Sequence, residues 1–270
     1  MRIQPEERDG FAHLTDSPLV TTVAVLSLKG GVGKTTTTLG IAGAAWARGQ
    51  RVLVVDLDPQ ANATSSLDVA PHPFTMNDVL ADGRPGIAAE ALTSSGWGPG
   101  IDVLTSEEAL AHRNRPEGPD SATRLRITLE GVASRYALVV IDCPPSLDEL
   151  TRNALAASDR ALIVTEPGFY ALQGTERALR AVQVARDSLN LRLRPAGILV
   201  NRVRETLGEH RRHLQALRTD YPDLLLGMEV PESPEVPEAE RAGVPIQAWP
   251  SPGARIVADA FDDVLDVLTT

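Results

Sequence analysis
Apolar residues along this chain gather into short, nearly unbroken runs, separated by longer stretches where they recur every three or four positions. Val, Ile and Leu dominate residues Thr22–Leu28, Arg51–Asp56, Ile101–Leu104, Ala137–Asp142, Ala161–Thr165 and Pro195–Val200. Runs this short and this apolar are expected to be strands buried on both faces. Helical spacing predicts helices over Lys34–Arg48, Ser121–Ser134, Ala171–Leu189 and Ile256–Leu268. Alternation of the two kinds predicts an α/β fold: a doubly wound, mainly parallel sheet flanked by helices. The Gly- and Pro-rich stretches 82–100 and 113–120 are expected to be surface loops. Without an internal repeat, the economical expectation is one domain over residues 21–270, preceded by a polar extension over 1–20 that carries Pro5 and Pro18.

Composition narrows the class. A hydrophobic share of 43% supports a sizeable core, and 23% charged residues argue against disorder. One cysteine, Cys143, excludes a disulfide within the chain and a cysteine-built metal cluster, and is expected to be a small buried hydrophobe. There is no run of eighteen apolar residues, and residues 1–20 lack the apolar core of a secretion signal, so a cytoplasmic location is expected. The formal charge of −10 means that any contact with nucleic acid must come from a local patch.

The basic residues are unevenly divided. Of 26, all but two are arginine, and the two lysines, Lys29 and Lys34, sit in one glycine-rich loop. Lysine is a compact point charge on a flexible stem, whereas arginine is a bulky planar fork; a tight backbone pocket admits the first. The segment Lys29-Gly30-Gly31-Val32-Gly33-Lys34-Thr35-Thr36 follows a predicted strand and opens a predicted helix. It is a variant phosphate loop, because the leading glycine of the usual pattern is replaced by Leu28. Its physics is intact. The glycines let backbone N–H groups turn inward, and the helix start favours an anion. Lys34 is expected to reach the β and γ phosphates of ATP, and the Thr35 hydroxyl to ligate Mg²⁺. Two strand-end carboxylates, in Asp56-Leu57-Asp58-Pro59-Gln60 and Asp142-Cys143-Pro144-Pro145, lie where a doubly wound sheet holds its ligand.

These motifs resemble the deviant Walker A ATPases, specifically the ParA (Soj) partition family. The resemblance is carried by Lys29, by Asp56-Leu57-Asp58-Pro59-Gln60-Ala61-Asn62 and by Ile141-Asp142-Cys143-Pro144-Pro145-Ser146. Ser158-Asp159, Tyr170-Ala171-Leu172 and Gly243-Val244-Pro245-Ile246 extend it, so that it covers roughly residues 20–268. It implies an ATP-sandwich homodimer in which Lys29 crosses to the partner subunit's phosphates. By the same resemblance, Lys34 and Thr35 hold phosphate and Mg²⁺, Asp58 activates the hydrolytic water and also serves the metal, and Asp142 takes the Walker B role. Asn201, ending its strand, would face adenine together with Pro231. Hydrolysis is expected to be stimulated by a ParB-like or other cargo adaptor.

Relatives in the same superfamily are separated by what is missing. Iron–sulfur reductases need several cysteines. Members that lie on membranes end in a basic amphipathic helix, whereas Ile256–Leu268 carries Asp259, Asp262, Asp263 and Asp266, so no membrane partner is expected. About twenty polar residues cannot hold an N-terminal helix-turn-helix domain. Amidoligases of the cobyrinate or dethiobiotin type lack the paired lysines and rank last.

Non-specific DNA binding rests on Arg202, Arg204, Arg211, Arg212 and Arg218, of which 204, 211 and 218 would share a face if the segment is one helix. A second element that is usually basic in the family reads Val230-Pro231-Glu232-Ser233-Pro234-Glu235 here, and its two glutamates would repel phosphate. Nucleoid association therefore competes with a positioning switch that uses the same ATP cycle but docks on a polar or cytoskeletal protein.

Overall fold
A computed structural model describes residues 20–270. The predicted polar extension falls almost wholly outside them. Eight strands form one sheet: β1 (Thr21–Leu26), β2 (Val52–Asp56), β3 (Leu92–Ser94), β4 (Ile101–Leu104), β5 (Leu138–Asp142), β6 (Arg160–Thr165), β7 (Arg194–Val203) and β8 (Leu225–Pro231). Their spatial order is β3-β4-β2-β5-β1-β6-β7-β8. Every pairing is parallel except the edge pair β3–β4.

Nine α-helices cover the two faces among the described residues: α1 (Lys34–Ala47), α2 (Asn62–Ser66), α3 (Met76–Asp82), α4 (Arg124–Thr128), α5 (Glu149–Ala157), α6 (Ala171–Ser188), α7 (Gly208–Asp220), α8 (Glu235–Arg241) and α9 (Pro252–Thr269). Successive strand residues point to opposite sides, so each central strand feeds two cores. Ala24, Leu53, Val55, Val139 and Ile141 join one layer with residues of α3, α4, α5 and α6. Val23, Val25, Val52, Val54 and Val140 join the other with α1 and α9. β2 and β5 are buried at every position, as their unbroken apolar runs foretold.

Several expectations need correction. The helix expected over Ser121–Ser134 is a 3₁₀ turn at Ser121–Thr123, the short α4, and a second 3₁₀ turn at Ala133–Arg135. Gly131, with φ +70°, turns the chain between them. Stretch 82–100 is not plain loop: it holds a 3₁₀ turn at Ile87–Ala91 and the edge strand β3. β7 runs on to Val203, so Asn201 lies within the strand rather than at its end.

Helices α1 and α9 approach so closely that a Cβ at Gly40 would lie 2.3 Å from Phe261, a fully buried ring. Ala is the better helix former by about 1 kcal/mol. Overpacking a filled core, however, costs about 1–3 kcal/mol. Gly40→Ala is therefore expected to lower the thermal midpoint despite its better propensity, and Gly40→Val to lower it further; calorimetric scans of both variants check this.

Candidate functional site
Because the central strands are parallel, their carboxyl ends share one rim, and the loops leaving it carry nearly every residue singled out from the sequence. β1 runs into the glycine loop, β2 into Asp56 and Asp58, β5 into Asp142, and β6 into Glu166. β7 contributes Asn201 and β8 ends at Pro231.

The loop is shaped for close approach by an anion. Gly31 and Gly33 hold φ values of +82° and +90°, and Gly33 sits at the start of α1. That helix has no side-chain cap and no acidic residue in its first turn, so its leading N–H groups remain available. A Cβ at Gly33 would come within 2.0 Å of Asn201 Nδ2, whose amide donates to the Val32 carbonyl at 2.9 Å. Arg202 donates to the Gly31 carbonyl at 2.7 Å. Asn201 and Arg202 thus brace the loop from β7. Thr36 donates to Glu240 of α8 at 3.4 Å.

The two lysines have opposite settings. Lys34 is 7% exposed at the base of the loop. The Lys29 side chain is 48% exposed and ion-pairs with Glu166.

Behind the loop lie two buried carboxylates. Asp142 accepts hydrogen bonds from Thr35 Oγ1 at 2.7 Å and Thr38 Oγ1 at 3.1 Å. Asp56 accepts from Thr64 N and Thr64 Oγ1, both at 2.8 Å, and from Asp58 N at 3.1 Å. Both have no exposure and stand opposite each other in the β2–β5 register. Burial pushes their pKa values up, to about 6 for Asp56 and about 7 for Asp142, and mutual repulsion adds to the Asp142 shift. Asp58 is 7% exposed. Its Oδ1 accepts from Gln60 N at 3.0 Å, while Ser106 donates to its backbone carbonyl at 2.7 Å.

The donor set suits a hard cation that arrives with phosphate. Thr35 gives its proton to Asp142, which leaves the lone pairs of its hydroxyl oxygen available. No group of three or more His, Cys, Asp or Glu among the described residues could hold a metal unaided. A magnesium ion here would draw most of its ligands from phosphate and water. Beside the loop, a cleft of about 200 Å³ is lined by Thr36, Asn201, Arg202, Pro231, Glu232 and Val236. The residues expected to face adenine therefore border one space.

The five arginines expected on DNA are dispersed. Arg202 and Arg204 precede α7, and only Arg211, Arg212 and Arg218 lie on it, so the seven-residue spacing does not make one helical stripe. Arg204 ion-pairs with Glu232, and Arg218 with Glu229 at 2.7 Å. Arg211 donates to the Glu205 carbonyl at 2.5 Å. Sequence inspection missed the roles of Glu166, Glu240 and Thr38, because each meets its partner across more than a hundred residues. The brace from Arg202 was hidden behind its assignment to DNA. Cys143 is a free, buried thiol, as expected.

A glycine loop between a strand and a helix, with a buried lysine and a strand-end aspartate holding the loop threonine, defines a P-loop nucleotide-binding protein. A family model described as an AAA domain matches residues 20–194. The chromosome partitioning protein ParA of Caulobacter vibrioides is 34% identical over 83% of this chain and 85% of its own length. The sporulation initiation inhibitor protein Soj of Bacillus subtilis is 32% identical over 90% of this chain and 97% of its own. Cobyrinic acid a,c-diamide synthase from Mycobacterium smegmatis, solved with ADP and magnesium, superposes with a TM-score of 0.76 at 26% identity, covering 92% of this chain and 93% of that one. The chain belongs to the ParA/Soj family of P-loop ATPases.

Raised carboxyl pKa values have a defined consequence for stability. A group that binds its proton more tightly when folded favours the fold while protonated, and that contribution is lost as pH rises through the folded pKa. In protein free of nucleotide and magnesium, the contribution of these two carboxyls to thermal stability is therefore expected to fall as pH rises from about 4 to about 7, against the opposite trend of carboxyls held low by arginine such as Glu117. Asp56→Asn cannot ionise and should flatten the profile, which melting curves in chelator across that range would reveal.

Proposed function
We propose that this chain binds ATP with Mg²⁺ and hydrolyses it as a dimer whose assembly is gated by nucleotide, in order to position intracellular cargo. The contrast between the two lysines carries this proposal. Lys34 is buried at the base of the phosphate loop, while Lys29 projects from the same loop with half of its side chain exposed. One ammonium serves the chain's own nucleotide, and the other is available to the nucleotide of a second copy. An exposed aromatic pair supports the same conclusion. Phe169 and Tyr170, 78% and 63% exposed, lie in the segment after β6 that also carries Glu166. Large apolar side chains in such a patch mark a surface that another protein covers.

Thr35 and Asp58 would hold the metal, with Asp142 fixing the threonine, and bound Mg²⁺ would neutralise charge developing on the phosphates. Asp58 has one carboxylate oxygen engaged by Gln60 N–H, which leaves the other to orient the attacking water. Asn201 and Pro231 border the space for the base.

Two partner classes follow from the arginine surface. In the first, the ATP-bound dimer holds DNA non-specifically through Arg211, Arg212 and Arg218, with Arg202 and Arg204 beside them, and an adaptor of the ParB kind stimulates hydrolysis. In the second, the same switch docks on a protein. The ion pairs Arg204–Glu232 and Arg218–Glu229 favour the second, because they neutralise charge that a phosphate backbone would need.

Lys34→Ala should weaken ATP binding by about tenfold or more. Asp58→Ala should keep ATP bound and the dimer persistent while turnover falls by about a hundredfold or more; normal hydrolysis by that variant would remove Asp58 from the water-orienting role. Titration calorimetry and phosphate release measure the two effects.

Retention of the ATP-bound protein on arbitrary duplex DNA, followed against salt, separates the partner classes. If DNA is the partner, Arg204→Glu with Arg211→Glu should reduce the log–log salt slope by about two, and Glu232→Gln should raise retention by releasing Arg204. Absence of ATP-dependent retention even at low salt would leave the protein-docking switch.

A further inference from the structure
Glu166 has no assigned role in the site as described, yet it holds the residue on which the proposed dimer depends. Strands β1 and β6 are neighbours in the sheet and run parallel, so their carboxyl ends open on the same rim. Lys29 lies three residues beyond β1 and Glu166 one residue beyond β6. Their side chains meet across 137 residues of sequence, Lys29 Nζ donating to Glu166 Oε1. Among the described residues the Glu166 carboxylate accepts no other hydrogen bond. The two ends of the pair are unequally held. Glu166 is 26% exposed and followed by the buried Pro167, whereas Lys29 is 48% exposed on a four-carbon stem. The acid leaves a segment anchored by a buried proline, whereas the lysine stands more exposed on a flexible stem.

We propose that Glu166 is a positioning residue that retains Lys29 within its own protomer, so that a second nucleotide-loaded copy must compete for the ammonium before the dimer forms. This rests on the dimer proposed above and deepens it. A lysine cannot occupy both positions, because one compact ammonium faces either the acid of its own chain or the phosphates of another. The pair therefore acts against assembly by an amount equal to its own strength, and triphosphate, with several negative oxygens, is the stronger competitor. Partly exposed ion pairs are weak, so the restraint is mild and reversible.

The test is a cycle over wild type, Glu166→Gln, Lys29→Ala and the double variant, with Glu166→Asp as the conservative control. Analytical ultracentrifugation with ATP and magnesium gives the dimer dissociation constant, and phosphate release at limiting protein gives turnover. Glu166→Gln is expected to tighten the dimer by about two- to fivefold and to raise turnover at limiting protein by a similar factor. Glu166→Asp should stay close to wild type, and the gain should vanish in the Lys29→Ala background. A residue that merely supports the fold would act equally whether or not Lys29 is present. If wild type dimerises with ATP and Glu166→Gln is unchanged, looser, or equally altered without Lys29, the restraint is refuted and the dimer stands. If wild type remains monomeric with ATP at every concentration, both fall.

Discussion

Two carboxylates, Asp56 and Asp142, stand face to face at the ends of adjacent parallel strands without contact with solvent. Burying even one such group is costly unless hydrogen bonds or opposite charge compensate, and burying two side by side adds their repulsion. Much of the rim's local structure answers that cost. Thr35 and Thr38, one turn of α1 apart, both donate to Asp142, which fixes the angular setting of the helix and so the direction in which the glycine loop opens. Thr64 donates twice to Asp56 and its hydroxyl accepts from Ser106 N at 3.0 Å, which ties the segment bearing Asp58 to the sheet. A cation entering with phosphate would offset the repulsion that remains between the two carboxylates. Lys34 supplies positive charge to Asp142 from within the chain.

Much of this was legible in the sequence, and for a physical reason. Strands buried on both faces leave continuous apolar runs, so β1, β2, β4, β5 and β6 announced themselves. An aspartate closing such a run is conspicuous, and glycines between a strand and a helix limit what the loop can be. β8 escaped because its burial is only partial and its residues alternate irregularly. The segment 121–134 was misjudged because spacing alone does not show where Gly131 turns the chain. Within the site, Thr35, Asp58 and Asp142 were legible from local motifs. Glu166, Thr38 and Glu240 were not, since nothing near them in sequence marks the partner that the sheet brings to them.

The arginine surface shows the limit of counting charges. Five arginines in a span of seventeen residues suggest a positive stripe, and the spacing of three of them suggests a helix face. Folding divides them between the end of β7, a connecting turn and α7, and sets glutamates from β8 and the turn after it against two of them. Electrostatic attraction to a polyanion depends on the field that survives such pairing, not on the number of guanidinium groups. On a chain of net charge −10, each internal pair weighs more heavily, because the long-range field already opposes approach.

The same consideration runs in the opposite direction at Lys29. A pair on the arginine surface removes charge from a partner's reach, and so does the pair with Glu166, but in the proposed dimer the competing ligand there would be the triphosphate of the second copy. Competition of this kind raises the dimer dissociation constant by a fixed factor set by the strength of the ion pair. In the proposed dimer the restraint therefore sets where on the concentration scale loaded copies assemble, and nucleotide gates that assembly by supplying the phosphates that compete for Lys29.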